Sequence, residues 1–272
     1  MTLLEVEKTI KYSSFFGASL TLKELHLWLI SPHIHSFMEV SNFISKHPAL
    51  QKQLISKHDQ KKTRLTKQKT KSIQKLISVL KCIPSIQLIA LTGSLSIGNP
   101  KKYDDIDLMI ITSPNTLWLT RPLVILLTSL LSSRRKPGEP LGLNNQVCIN
   151  LWLDQTSLMV PKKKQNLYTA HEVLQTKPLF DRGGVHQQFI RVNSWTRKHL
   201  ATAHERKSPP GLCCACGEPR GWLKQTLNLL FFTSQHLYMK SKITNEHITL
   251  HSAYFHPRNL YPQIKKSLKQ TA

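Results

Sequence analysis

Acidic side chains are scarce in this chain. Its 272 residues hold 15 Asp and Glu against 38 Lys and Arg, a formal charge of +23. An excess of that size points to a polyanionic partner such as nucleic acid, or else to broad solvated lysine faces. Long apolar runs are missing too. The most apolar stretch, residues 122–131, is far shorter than the ~20 residues a bilayer-spanning helix needs, so no membrane insertion is expected. The amino terminus carries Glu5 and Glu7 and no apolar h-region, which argues against an export signal. Five cysteines, an odd number, argue against a disulfide framework and for a cytoplasmic protein. Glycine is absent from residues 45–70, which removes the usual means of making a tight hairpin there.

What is present is concentrated in residues 88–112, LIALTGSLSIGNPKKYDDIDLMIIT. An apolar run leads into Gly93-Ser94, a polar loop follows with Gly98-Asn99-Pro100, and a second apolar run begins just after Asp105 and Asp107. Residues two apart in a strand point to the same face, so Asp105 and Asp107 are expected to project together while Ile106 and Leu108 pack the other way. Two carboxylates on one face repel unless a positive charge lies between them. The usual resident is a hard divalent cation with oxygen ligands, most often magnesium with a substrate phosphate in its shell. Gly93 lets backbone N–H groups approach an anion closely, and the Ser94 hydroxyl adds a donor. A plain hairpin with an acidic edge is the alternative.

This order of strand, Gly-Ser, loop, Asp-x-Asp and strand resembles the nucleotide-binding core of the DNA polymerase beta-like nucleotidyltransferase superfamily. The matching residues are Gly93, Ser94, Asp105 and Asp107. Residues 104–127, the N-terminal segment around Thr9-Ile10-Lys11-Tyr12, Phe15-Phe16 and residues 24–29, and the tail 253–258 resemble nucleotidyltransferase-domain proteins of uncultured bacterial lineages. The resemblance implies an α+β fold with a small mixed sheet covered by helices. It also implies that Gly93 and Ser94 hold a nucleoside triphosphate while Asp105 and Asp107 hold Mg2+. In the superfamily a third carboxylate on the next core strand accepts the proton of the attacking hydroxyl. Here that strand is residues 147–153, where the best-matching positions are Cys148 and Asn150, neither of them a carboxylate. Alternation puts Cys148, Asn150, Trp152 and Asp154 on one face, with Asp154 too far along the strand to share a metal shell.

Around this core the chain divides into an N-terminal helical module at 1–56, a basic connector at 57–71, the core at 72–160 and a C-terminal helical region at 161–272. The module is expected to hold helices near 3–16, from the capping box Thr21-x-x-Glu24 onward, and near 34–44. Three such helices suit a winged-helix-like unit, or a plain helical cap if the wing is lacking. The basic block 57–75 reads as a flexible segment able to contact nucleic acid. Apolar spacing predicts a helix over 72–83. Further helices are expected at 117–131, 168–175, 185–200 and 222–239. His171-Glu172 lies on the second of these, with no second ligand at helical spacing to make a metal site. Cys213, Cys214 and Cys216 sit in a Pro- and Gly-rich loop that lacks a second ligand pair for zinc. The tail His256-Pro257-Arg258 belongs to the resemblance without a chemistry attached.

Two functions follow from these features. One is transfer of a nucleoside monophosphate from a nucleoside triphosphate to an acceptor with Mg2+ catalysis, with Asp105, Asp107 and Asn150 at the reacting centre. The other is a catalytically weak protein that binds nucleotide or nucleic acid in a regulatory role, which Asn150 in place of an acid favours.

Overall fold

The computed structural model describes residues 1–57, 59–132, 146–208, 221–241, 246–255 and 260–269. Cys213, Cys214, Cys216 and His256-Pro257-Arg258 lie outside the described residues.

The first helices start where the sequence supplies side-chain caps. Thr2, Thr21 and Ser36 each accept the amide three residues on, and Glu5, Glu24 and Glu39 accept the amide of the capping residue in return. Each exchange satisfies donors that a helix start otherwise leaves open. They open α1 (Leu3–Phe15), α2 (Leu22–Leu27) and α3 (Phe37–Ser45), with the short α4 (Pro48–Gln51) behind. Val6, Ile10, Leu25, Leu29, Val40 and Ile44 bury into a core of their own. No strand forms among the described residues of 32–57, so the module has helices and no wing. It is fastened to the rest of the molecule. The Phe16 carbonyl accepts from Asn99, the His35 amide donates to Thr202, and Ser31 bridges to Leu200.

The basic block is not a loose connector. It forms α5 (Gln60–Ser72), capped by Asp59, and then α6 (Gln74–Leu80). Lys61, Arg64, Lys67 and Lys71 stay exposed. Lys69 is buried and donates from Nζ to the Asp104 carbonyl at 2.6 Å, while Lys62 donates to the Asn99 side chain. An inward face of Thr66, Lys69 and Ile73, at helical spacing, folds this segment down despite its charge.

Six strands make one mixed sheet: β1 (Ile86–Leu91), β2 (Ile106–Thr112), β3 (Val147–Asp154), β4 (Lys177–Asp181), β5 (His247–Ile248) and β6 (Ser252–Tyr254). Their order is β4-β1-β2-β3-β6-β5, and only β2 and β3 run parallel. The three expected core strands are thus neighbours. The one-turn α7 (Gly93–Ser96) joins β1 to β2, and α8 (Leu117–Leu131) makes the crossover to β3 that a parallel pair requires. One face of the sheet, with Ile89, Leu91, Ile106, Leu108 and Trp152, packs on α6 and α8. The other, with Leu88, Ala90, Met109, Ile111 and Leu153, packs on α9 (Leu167–Leu174), α10 (Val185–Val192) and α11 (Ala201–Lys207). Beyond them α12 (Trp222–Lys240) lies on α8, where Asn228 accepts the Trp118 amide at 2.8 Å, and α13 (Tyr261–Lys269) lies against α1. The region after residue 160, expected to be helical, therefore also supplies β4, β5 and β6. Among the described residues no helix is long and apolar enough to cross a membrane.

The β2–β3 register slips by one residue. Leu108 pairs with Ile149 but Met109 pairs with Leu151, so Asn150 is the extra residue of a bulge. A bulge breaks the two-residue period. Trp152 consequently packs with Ile106 and Leu108, on the sheet face away from Asn150, rather than sharing its face as strict alternation predicts.

Candidate functional site

The Gly93 turn is where the two halves of the motif meet. Gly93 has φ +62°, a left-handed conformation in which other residues are strained. A Cβ at this position would lie 2.6 Å from Asp107 Oδ2, inside contact distance. Only glycine lets the turn sit on that carboxylate. The Thr92 amide adds a main-chain bond to the Asp107 carbonyl at 3.0 Å, fixing the end of β1 to the start of β2. Asn150 Nδ2 donates to Asp107 Oδ1 at 3.0 Å, whereas Asn150 Oδ1 is buried with no hydrogen-bond partner among the described residues.

Ser94 takes a different part from the one its motif suggests. Its hydroxyl donates to Asp104 Oδ2 at 2.7 Å, and the Lys101 amide donates to the same oxygen at 2.9 Å. The hydroxyl therefore pins the loop before β2. Asp105 is buried beside this loop, close enough to Lys69 that its charge opposes the lowering of the lysine pKa by burial; Asp104 does the same. Asp154, at the opposite end of β3, pairs in register with Thr112. It is fully buried, accepting from His251 Nδ1 and from the Asn115 and Thr156 amides. Its place is structural.

A cavity of about 970 Å³ opens over the turn. Gly93, Ser94, Gly98, Asn99, Lys101 and Asp104 form its floor, and Lys57 and Lys62 stand at one side. Residues 12–20 of the helical module and Tyr168, His171 and Glu172 of α9 enclose the rest. Asp107 borders this space through Gly93 and does not itself line it. Its charge, after that of Glu172 and after burial, helps raise the pKa of Tyr168.

The α9 wall is the part that motif reasoning misses. His171 stacks on Tyr12 with ring centres 4.0 Å apart, and burial holds its imidazole down to about 3. Burial pushes the Glu172 carboxyl up to about 7. The sequence shows the pair as His-Glu on a helix with no second ligand at helical spacing. Nothing in its spacing says that α9 lies across the mouth of the Gly93 turn, because that depends on how the helix packs over β1 and β2.

Comparison with known protein families, with curated proteins and with solved structures returns no match. What the arrangement can do rests on its own chemistry. Asp105, Asp107 and the Asn150 carbonyl are oxygen donors suited to a hard cation. No three His, Cys, Asp or Glu side chains converge as a metal cluster among the described residues, so a cation here would complete its shell with phosphate and water. The donor set fits magnesium on that condition.

Proposed function

We propose that the protein is a nucleotidyltransferase that binds a nucleoside triphosphate over the Gly93 turn. The observation that carries this reading is the contact of that turn with Asp107. A backbone able to approach phosphate lies directly against the Asp107 carboxylate, with Lys57, Lys62 and Lys101 lining the same cavity.

Asp105 and Asp107 would hold magnesium, which when bound neutralises phosphate charge and stabilises an in-line displacement. The Gly93–Ser94 backbone would orient the triphosphate, and the three lysines would bind its outer oxygens. An acceptor oxygen then bonds to the α-phosphorus as the bond to pyrophosphate breaks. Asn150 would keep the Asp107 carboxylate in place but cannot take the acceptor's proton near neutral pH. That proton would leave to solvent, and without a positioned base transfer is expected to be ~10²–10⁴-fold slower. The same feature favours a second reading, a protein that binds nucleotide without turning it over.

Calorimetry with and without magnesium tests the binding. The Asp105→Asn, Asp107→Asn double variant should lose the magnesium dependence of triphosphate affinity, and an unchanged dependence would overturn the assignment. Release of pyrophosphate from labelled triphosphate separates the two readings.

A further inference from the structure

Four carboxylates line the cavity: Glu24, Asp59, Asp104 and Glu172. Three of them hold the protein's own donors. Glu24 accepts the Thr21 amide and hydroxyl, Asp59 the Lys61 amide, and Asp104 the Ser94 hydroxyl and Lys101 amide. Glu172 is bound by no hydrogen bond or ion pair among the described residues, and its neighbour Gln175 is turned to His171 Nδ1. Tyr12, Phe16, Trp28 and Tyr168 line the same cavity, Tyr12 already stacked on His171. Phe16 and Tyr168 lie nearly parallel, 19° apart with ring centres separated by 6.2 Å.

The cavity is thus divided by chemistry. Around the Gly93 turn the lining is glycine, backbone and lysine, with the Asp104 carboxylate taken up by Ser94 and Lys101, which suits phosphates. The α9 and α1 residues that line the cavity bring aromatic rings and the Glu172 carboxylate. Tyr168 and Glu172 are four residues apart on α9, so they are neighbours on one face of that helix, and both line the cavity. This α9 wall, set apart from the glycine turn, is where the base of a bound nucleotide would lie.

Aromatic faces stack any base, so they bind without choosing. An ionised carboxylate chooses, because it only accepts hydrogen bonds, and Glu172 takes that form as pH rises above about 7. Guanine presents two adjacent donors, N1–H and the 2-amino group, which a carboxylate meets with both oxygens. Adenine and cytosine each place an acceptor nitrogen beside their single amino donor, and uracil flanks its N–H with two carbonyls. Each of these would set a lone pair against the Glu172 oxygens.

We propose that Glu172 and the aromatic side chains lining the same cavity form a nucleobase subsite selective for guanine. This rests on the nucleotidyltransferase reading above. The test is calorimetry of the full chain, well above the Glu172 value of about 7, with magnesium and each of GTP, ATP, CTP and UTP as non-hydrolysable analogues. GTP should bind about ten- to a hundredfold tighter than the others, the range of one bidentate base contact. Glu172→Gln should erase that preference and move it toward ATP, since an amide can accept from the adenine amino group while donating to N1. The wild-type ranking decides even if the variant fails to fold. Equal binding of all four, or preference for another base, overturns the guanine subsite and leaves the triphosphate reading standing. Binding of none overturns both.

Discussion

Asn150 holds Asp107 across 3.0 Å, and the residue that breaks the β3 register to make this contact is Asn150 itself. The amide is thus both bulge and support. Asn150→Asp replaces the donor with a second carboxylate against Asp107. In chelator the variant should lose about 1–3 kcal/mol, the cost of a buried acceptor deprived of its donor. Magnesium with nucleotide should restore melting and raise the transfer rate ~10²-fold or more, as a positioned base allows. Melting curves that are the same with and without magnesium would count against a metal at Asp107.

Gly93→Ala meets two obstacles, a left-handed backbone and the Asp107 carboxylate 2.6 Å from the new Cβ. The left-handed conformation alone costs roughly 1–2 kcal/mol. Denaturant midpoints should fall, and magnesium-dependent triphosphate affinity should fall with them. Retained affinity in a folded variant would show that the turn does not cradle phosphate.

Glu172 should leave a signature in the pH dependence of stability. Its folded carboxyl titrates at about 7 and its ordinary value is 4.5. Between those values the folded state keeps a proton that the unfolded chain has lost. The stability contributed by this group is therefore full below about 4.5 and lost as pH rises through about 7. His171 acts in the opposite sense, since its proton is taken up only by the unfolded chain as pH falls from 6.5 toward about 3. Subtracting the Glu172→Gln profile from the wild type removes the histidine contribution. A flat difference would show that the carboxyl is not held neutral.

The outward face of α5 makes the nucleic-acid reading measurable. Lys61, Arg64 and Lys71 are exposed on it. Changing all three to Gln should weaken duplex DNA binding and reduce the salt slope by roughly 0.9 for each phosphate that is no longer neutralised. Anisotropy titrations over a range of salt would show this. An unaltered slope assigns any binding elsewhere.

Much of the core can be read from residue patterns. The apolar runs of β1, β2 and β3 and the caps at Thr21 and Glu24 signal their elements directly. β4 cannot, because Lys-Pro-Leu-Phe-Asp is a half-exposed edge strand with neither a fully apolar run nor strict alternation. β5 and β6 are only two and three residues long, and exist because β3 offers them an edge. α5 is hidden by charge, its inward side depending on a buried lysine. Within the site, Gly93, Asp107 and Asn150 come together as their spacing suggests. Glu172 escapes residue patterns, since its setting is created by residues 12–20 and by α9, more than a hundred positions apart.

Lys69 carries a consequence for the order of events. A helix otherwise turned to solvent sends one ammonium inward, onto the Asp104 carbonyl and beside Asp105. The chain thus brings its own resident counterion to the acidic corner. On the nucleotidyltransferase reading, magnesium alone would meet a site already partly neutralised by this charge. A triphosphate, with several negative charges, supplies what the corner then lacks. On that reading magnesium by itself should therefore bind weakly, and metal and nucleotide should enter together.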